Sequence, residues 1–218
     1  FVLATAGAAV GLGNIWRFPY LAAEYGGGIF LLTYLLLVFS AGFVLVLTES
    51  ALGRMTGSGV LCAYEKISRK LSFAGYLTFI TPLIIFSFYS VVGGWVMFYA
   101  LQFIFGNGSL LADSGYFSAF TAEPVIPAVF TLIFIALTAW IVLRGVRRGI
   151  EKTTRLLMPV LLVMLVVLAA YCICMPGGLD GLWYFFYPDF SKFSAELVLA
   201  ALGQMFFTLM IGSGVIMT

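Results

Sequence analysis

Apolar residues fall along this chain in six long blocks, at 1–23, 28–52, 73–105, 125–143, 156–175 and 196–218. A helix needs roughly 20 apolar residues to cross a bilayer. The pattern therefore predicts an all-α integral membrane protein with about six transmembrane helices, residues 1–218 forming a single transmembrane domain fragment. The third block is too long for an upright helix and predicts tilt or extension past the membrane. Between the blocks, EYGGG at 24–28 reads as a tight turn, 53–72 as a polar loop with room for a short interfacial helix, and 106–124 as a Gly- and Ser-rich connector. Residues 144–155 form a basic connector, and 176–195 opens on Pro176-Gly177-Gly178, a turn signal.

Composition makes the bilayer the solvent. Of 218 residues, 63% are hydrophobic and 9% charged, and mean hydropathy is +1.13. Soluble domains are about 45–50% apolar and about 25% charged. Charge distribution then orients the chain. Arg54, Lys66, Arg69 and Lys70 lie in 53–72, and Arg144, Arg147, Arg148, Lys152 and Arg155 in 144–155, nine of the eleven basic residues. In a chain that crosses alternately these two connectors share a side, which the positive-inside rule makes cytoplasmic, in a multi-pass plasma-membrane protein. No basic run interleaved with aromatics points to nucleic acid, and there is no His to serve as metal ligand or general base. Cys172-x-Cys174 lacks further ligand partners and reads as two small side chains in an apolar run. The opening FVLATAGAAV has no basic leader, and both ends are expected to be cut from a longer protein.

The first and sixth blocks carry the chemistry. Gly7, Gly11 and Gly13 crowd the centre of the first, followed by Asn14 and Arg17; Gln204 and Thr208 precede Gly212-Ser213-Gly214 in the sixth. Glycine costs a helix about 1 kcal/mol per site relative to Ala, so both helices are expected to unwind at mid-membrane. Bare backbone is tolerated there only where it lines a cavity or is buried in protein. Gly7 and Gly11 also fit a small-x-x-x-small packing pattern. The two blocks lie five spans apart, so each can open a five-helix repeat, the second copy inverted relative to the first, a pattern that points to a transporter site. Such breaks expose carbonyls for a cation such as Na⁺, with Asn14 and Thr208 oxygens available to complete its shell, and N–H groups for a carboxylate.

The run Gly11-Leu12-Gly13-Asn14-Ile15-Trp16-Arg17-Phe18-Pro19-Tyr20 resembles the first-helix signature of the neurotransmitter:sodium symporters, which include bacterial leucine-transporter-like amino-acid transporters. Glu24-Tyr25-Gly26-Gly27-Gly28, Glu49 with Gly53-Arg54, Tyr89, Arg144-Gly145 with Gly149-Ile150-Glu151, and Gly203-Gln204 with Phe206-Phe207-Thr208 extend the likeness in order along the chain. The resemblance implies a first five-helix repeat plus the start of the second, with the remaining half of the transporter chain as partner. It implies sodium ligands at Gly7, Ala9, Val10, Asn14 and Thr208, and substrate contacts at Gly11, Leu12, Gly13, Ile85, Tyr89, Phe207, Met210 and Ser213. Arg17 would be half of an external gate, and Glu49 would brace the unwound segments. Tyr34, Gln204 and Thr208 match positions that bind chloride in chloride-dependent members, and chloride dependence stays open. From the residues alone, Arg17 can also snorkel to the interface, Glu49 can reach water near its helix end, and Tyr89 can be a packing tyrosine. Many bacterial members carry a small Ser at the position of Met210 and a bulkier residue at that of Ser213, so leucine is not carried over as substrate.

The expected activity is sodium-coupled symport of an amino acid, leaning to a hydrophobic or aromatic one, by alternating access. The alternatives are an ion channel or pore subunit, and a symporter of another small carboxylate or osmolyte. An intramembrane enzyme is not expected, because no paired Asp, His-x-x-x-His or Ser–His set lies in the spans.

Overall fold

The computed structural model describes residues 10–11 and 13–214, which are helical with no β-strand among them. In chain order the α-helices are α1 (Phe18–Glu24), α2 (Gly28–Leu37), α3 (Phe43–Thr56), α4 (Val60–Ile67), α5 (Ser72–Ile104), α6 (Gly108–Leu111), α7 (Tyr116–Ala122), α8 (Val125–Leu143), α9 (Lys152–Cys174), α10 (Gly178–Phe186) and α11 (Ala195–Thr208). Among the described residues, four helical stretches are long and apolar enough to cross a membrane: Gly28–Thr56, Arg69–Ile104, Val125–Leu143 and Gly149–Cys174. Ala195–Thr208 is a shorter apolar helix. The chain divides into two compact units, Phe1–Phe79 with Thr154–Thr218, and Ile80–Thr153.

In the first unit a π-helical turn, Gly13–Arg17, runs directly into α1. Pro19 sits in the first turn of α1, just past this π-turn. Gly26 and Gly27, at φ +87° and +59°, then reverse the chain into α2. Any side chain at Gly27 would strike the Tyr184 carbonyl, 2.2 Å from its Cβ position. A second π-turn, Val38–Gly42, joins α2 to α3; within it the Ser40 hydroxyl donates to the Leu36 carbonyl, a side-chain bond that loosens helical geometry. The Lys66 ammonium of α4 donates to the Thr56 carbonyl at 2.9 Å, placing a cation at the C-terminal end of α3.

The core of this unit is Leu21, Ala22, Ile29, Phe30, Leu197 and Ala201, so α1, α2 and α11 pack on one another. Ser194 caps α11 by accepting from the Leu197 N–H at 3.1 Å, with Glu196 in the first turn favoured by the helix dipole. By contrast α9 buries no residue.

The second unit holds α5 from Ile80 onward, then α6, α7 and α8. Its packing is aromatic: Phe98 stacks on Phe120 at 4.5 Å, Phe130 meets Phe98 edge-on at 5.2 Å, and Trp95 meets Phe117 at 5.5 Å. Gly94 lets α5 approach α8 closely, since a Cβ there would lie 2.6 Å from the Thr131 nitrogen.

Candidate functional site

The polar side chains of the first unit converge where two helices end. α11 stops at Thr208 inside the apolar run expected to continue to 218. The Leu209, Met210 and Ile211 N–H groups turn back onto Met205, Phe207 and Phe206 carbonyls. Met210 then takes φ +51°, with Gly212 at +77° and Gly214 at +71°. A left-handed conformation at a non-glycine costs roughly 1–2 kcal/mol. Such strain gathers where the surroundings over-determine the backbone, commonly at functional sites.

The end of α11 and the π-turn before α1 are tied by side chains from far away in sequence. The Thr208 hydroxyl donates to Asn14 Oδ1 at 2.9 Å, linking the end of α11 to the π-turn before α1. Gln204, fully buried, gives its amide N–H groups to the Gly13 carbonyl and to Thr208 Oγ1, both at 3.3 Å. Glu49 of α3, 7% exposed, accepts the Gly212 N–H on Oε1 at 2.6 Å. Among the described residues Glu49 Oε2 and Gln204 Oε1 have no hydrogen-bond partner. Both are acceptors, so the pocket around the breaks carries oxygen in excess of donors.

The remaining expected site residues of this unit surround that cluster. The Phe207 ring covers Gly13, whose absent Cβ would lie 2.0 Å from ring atom Cε1. The Arg17 guanidinium stands 5.8 Å from the centroid of the same ring. Ser213 is buried, and its hydroxyl donates to the Met210 carbonyl. Gly11 accepts the Asn14 N–H at 3.0 Å. Val10 lines a groove of about 410 Å³ with Thr154, Leu157, Met158, Leu161 and Met164. Tyr34 packs edge-on to Phe18 at 5.0 Å. Ile85 and Tyr89 lie on α5 in the second unit. Gly7, Ala9 and Leu12 lie outside the described residues.

The donor and acceptor balance discriminates between ions. Asn14 Oδ1 and Thr208 Oγ1 are neutral oxygens beside a carbonyl-rich break, which suits a hard monovalent cation. The amide N–H groups of Gln204 are engaged by Gly13 and Thr208, while its Oε1 has no hydrogen-bond partner among the described residues. The bridge from Gln204 to Gly13 was not among the expectations; its signal was a glutamine four residues before Thr208, on one face of an apolar helix.

A sequence model of the sodium:neurotransmitter symporter family matches residues 1–108 and 125–218. The chain is 35% identical over 223 residues to an uncharacterized sodium-dependent transporter, YhdH, of Bacillus subtilis (strain 168), covering 100% of this chain and 49% of that protein. It is 28% identical over 261 residues to the sodium- and chloride-dependent GABA transporter 2 of Homo sapiens, covering 98% of this chain and 42% of the relative. The crystal structure of MhsT in complex with L-phenylalanine matches with TM-score 0.88 and 39% identity, over 100% of this chain and 51% of that one. The chain thus spans about half the length of the relatives it matches.

Proposed function

Because the chain belongs to the sodium:neurotransmitter symporter family, we propose that it supplies the first half of a transporter that couples sodium entry to uptake of an amino acid. The observation that carries the reading is the Thr208–Asn14 hydrogen bond, which joins two chain breaks 194 residues apart and faces two oxygens toward one place. In this reading the six expected spans cross the plasma membrane with connectors 53–72 and 144–155 cytoplasmic. The first and sixth are unwound near Gly11–Gly13 and Met210–Gly214. Sodium is held by Asn14 and Thr208 with the carbonyls of Gly7, Ala9 and Val10. The substrate carboxylate meets the N–H groups of Leu12 and Gly13 and the Tyr89 hydroxyl, while Ile85, Phe207, Met210 and Ser213 line its side-chain pocket. Arg17 stands over Phe207 as half of an external gate.

Each part has a physical rationale. A helix N-terminus attracts a carboxylate, and a sodium ion beside it offsets the remaining charge. Gly11 stands where monoamine transporters of this family carry an Asp, so here a substrate carboxylate takes the place of a protein one. The flexible Met210 wall and the bound phenylalanine of the similar MhsT structure support a hydrophobic or aromatic side chain. The likeness to a GABA transporter supports the second reading, another small carboxylate.

The test uses the full-length parent and sodium-dependent binding. Asn14→Ala and Thr208→Ala each remove one oxygen ligand, and a loss of about 1.4 kcal/mol raises the sodium requirement about tenfold. Unchanged sodium dependence in both folded variants removes these residues from the site. Amino acids are expected to bind while the matching decarboxylated amines do not, and Gly11→Asp is expected to abolish amino-acid binding. Equal binding of acid and amine overturns the carboxylate assignment.

A further inference from the structure

α10 shows an apolar face outward while its inner face is satisfied. Inward, Tyr184 donates its hydroxyl to the Ala23 carbonyl at 2.9 Å, and Phe185 packs on the core beside Phe18. Outward, Leu179, Trp183 and Phe186 recur at the spacing of one helix face and are 68%, 68% and 63% exposed. Trp183 stacks on Tyr187 at 5.3 Å, and exposed Phe190 and Phe193 follow.

The preceding helix fixes the depth of this face. α9 has 23 residues, which at about 1.5 Å each span roughly 34 Å, against a hydrocarbon core of about 30 Å. Its end at Cys174 therefore emerges at headgroup level. Only Met175, Pro176 and Gly177 separate it from α10, and a Cβ at Gly178 would lie 2.3 Å from the Cys172 carbonyl oxygen, so the two helices meet without slack. The outward face thus continues the apolar surface of α9 at the depth where Trp and Tyr are favoured, their rings in the acyl boundary and their polar edges in the headgroups.

We propose that the outward face of α10 is a membrane-surface plate, seated in the headgroup region of the leaflet into which α9 emerges. Through Tyr184 and the glycine turn at Gly26–Gly27 it holds the end of α1 at a fixed height relative to the lipid. The proposal rests on the reading of α9 as a membrane-crossing helix, and its test separates the two.

Nitroxide labels are placed at Leu179→Cys and Phe186→Cys in the full-length parent, with Cys62, Cys172, Cys174 and any cysteines of the second half replaced. Val163→Cys in α9 and Asp113→Cys in an exposed connector serve as references. In vesicles of phosphatidylethanolamine and phosphatidylglycerol, collision of each label with oxygen and with a water-soluble nickel chelate is read by electron paramagnetic resonance. The expected oxygen-to-nickel ratio at positions 179 and 186 is several-fold above that at 113 and below that at 163. A ratio equal to that at 113 puts the face in water and overturns the plate. Weak collision with both reagents puts it under protein, whether a second copy or the rest of the chain, and also overturns it. An aqueous ratio at 163 overturns the crossing of α9, and the plate with it.

Discussion

α11 stops at Thr208 within an apolar run, whereas α8 carries the run 125–143 to its end. α8 closes with local bonds, the Arg144 and Gly145 N–H groups returning to Ile141 and Val142, and Arg144 lies over Trp140 at 3.6 Å. α11 closes with help from Glu49, 163 residues away. The second unit fills its interior with Phe98, Phe120, Phe130 and Trp95; the first keeps buried Glu49, Gln204 and Ser213. In the second unit buried Ser90 bonds within its own helix, to the Phe86 carbonyl at 2.7 Å, and Trp95 Nε1 has no hydrogen-bond partner among the described residues. Buried polar groups cost free energy unless bonded, and in the first unit they are spent on holding backbone out of helical geometry, where its carbonyls and N–H groups can serve a ligand.

The largest effect expected from this contrast comes from adding one methyl group to each region. Gly13→Ala would drive the Phe207 ring off its seat, the Cβ lying 2.0 Å from it. Sodium-dependent substrate binding by the parent is expected to be lost, with the folded protein retained. Gly94→Ala would instead press on Thr131 backbone at 2.6 Å. Overpacking of that kind costs about 1–3 kcal/mol, so the thermal midpoint falls while the sodium requirement of the remaining folded protein is unchanged. Reversed outcomes, with binding intact in Gly13→Ala and sodium dependence altered in Gly94→Ala, would break the contrast between these two glycine contacts.

A smaller effect is expected at the end of α11. Glu49→Ala leaves the half-buried Gly212 N–H without this acceptor, a cost of about 1 kcal/mol. Glu49→Gln keeps a carbonyl acceptor at the same reach and is expected to recover most of the loss. Thermal unfolding of the purified parent measures both. Equal damage from Ala and Gln would mean that charge rather than acceptance of this N–H accounts for Glu49.

The helical class was legible because composition and block length leave few other ways to satisfy backbone in a bilayer. The run 125–143 is one helix as patterned, since nothing in it competes with helical bonding. In the run 196–218 the α-helix ends at Thr208, four residues before the Gly212-Ser213-Gly214 cluster at which the glycines predict a break, because hydropathy alone does not set where a helix stops. Asn14 and Thr208 were legible as polar residues beside glycines, and the structure brings them together. The bridging amide of Gln204 and the hold of Tyr184 on Ala23 were not, because each depends on a contact more than 150 residues away. Local spacing carries no information about such pairs.

The smallest effect sharpens the contrast from the water side. Asp189, between α10 and α11, does for the exposed Ser191 N–H what Glu49 does for the half-buried Gly212 N–H. The Ser191 hydroxyl, then the Ser191 N–H, and more weakly the charge of Lys192, hold the Asp189 carboxyl below its ordinary value, which is about 3.9. Folding therefore favours the carboxylate. The stability it contributes is fully present above the unfolded value and is lost as pH falls through the lower, folded one. Asp189→Asn keeps an acceptor oxygen for Ser191 but cannot titrate, so the variant should show a shallower fall in thermal midpoint with acid than the parent, and nearly the same midpoint at neutral pH. Water competes for every bond Asp189 makes, so the difference should be slight beside that of Glu49→Ala. Superimposable acid profiles would show that the turn holds its shape without the charge.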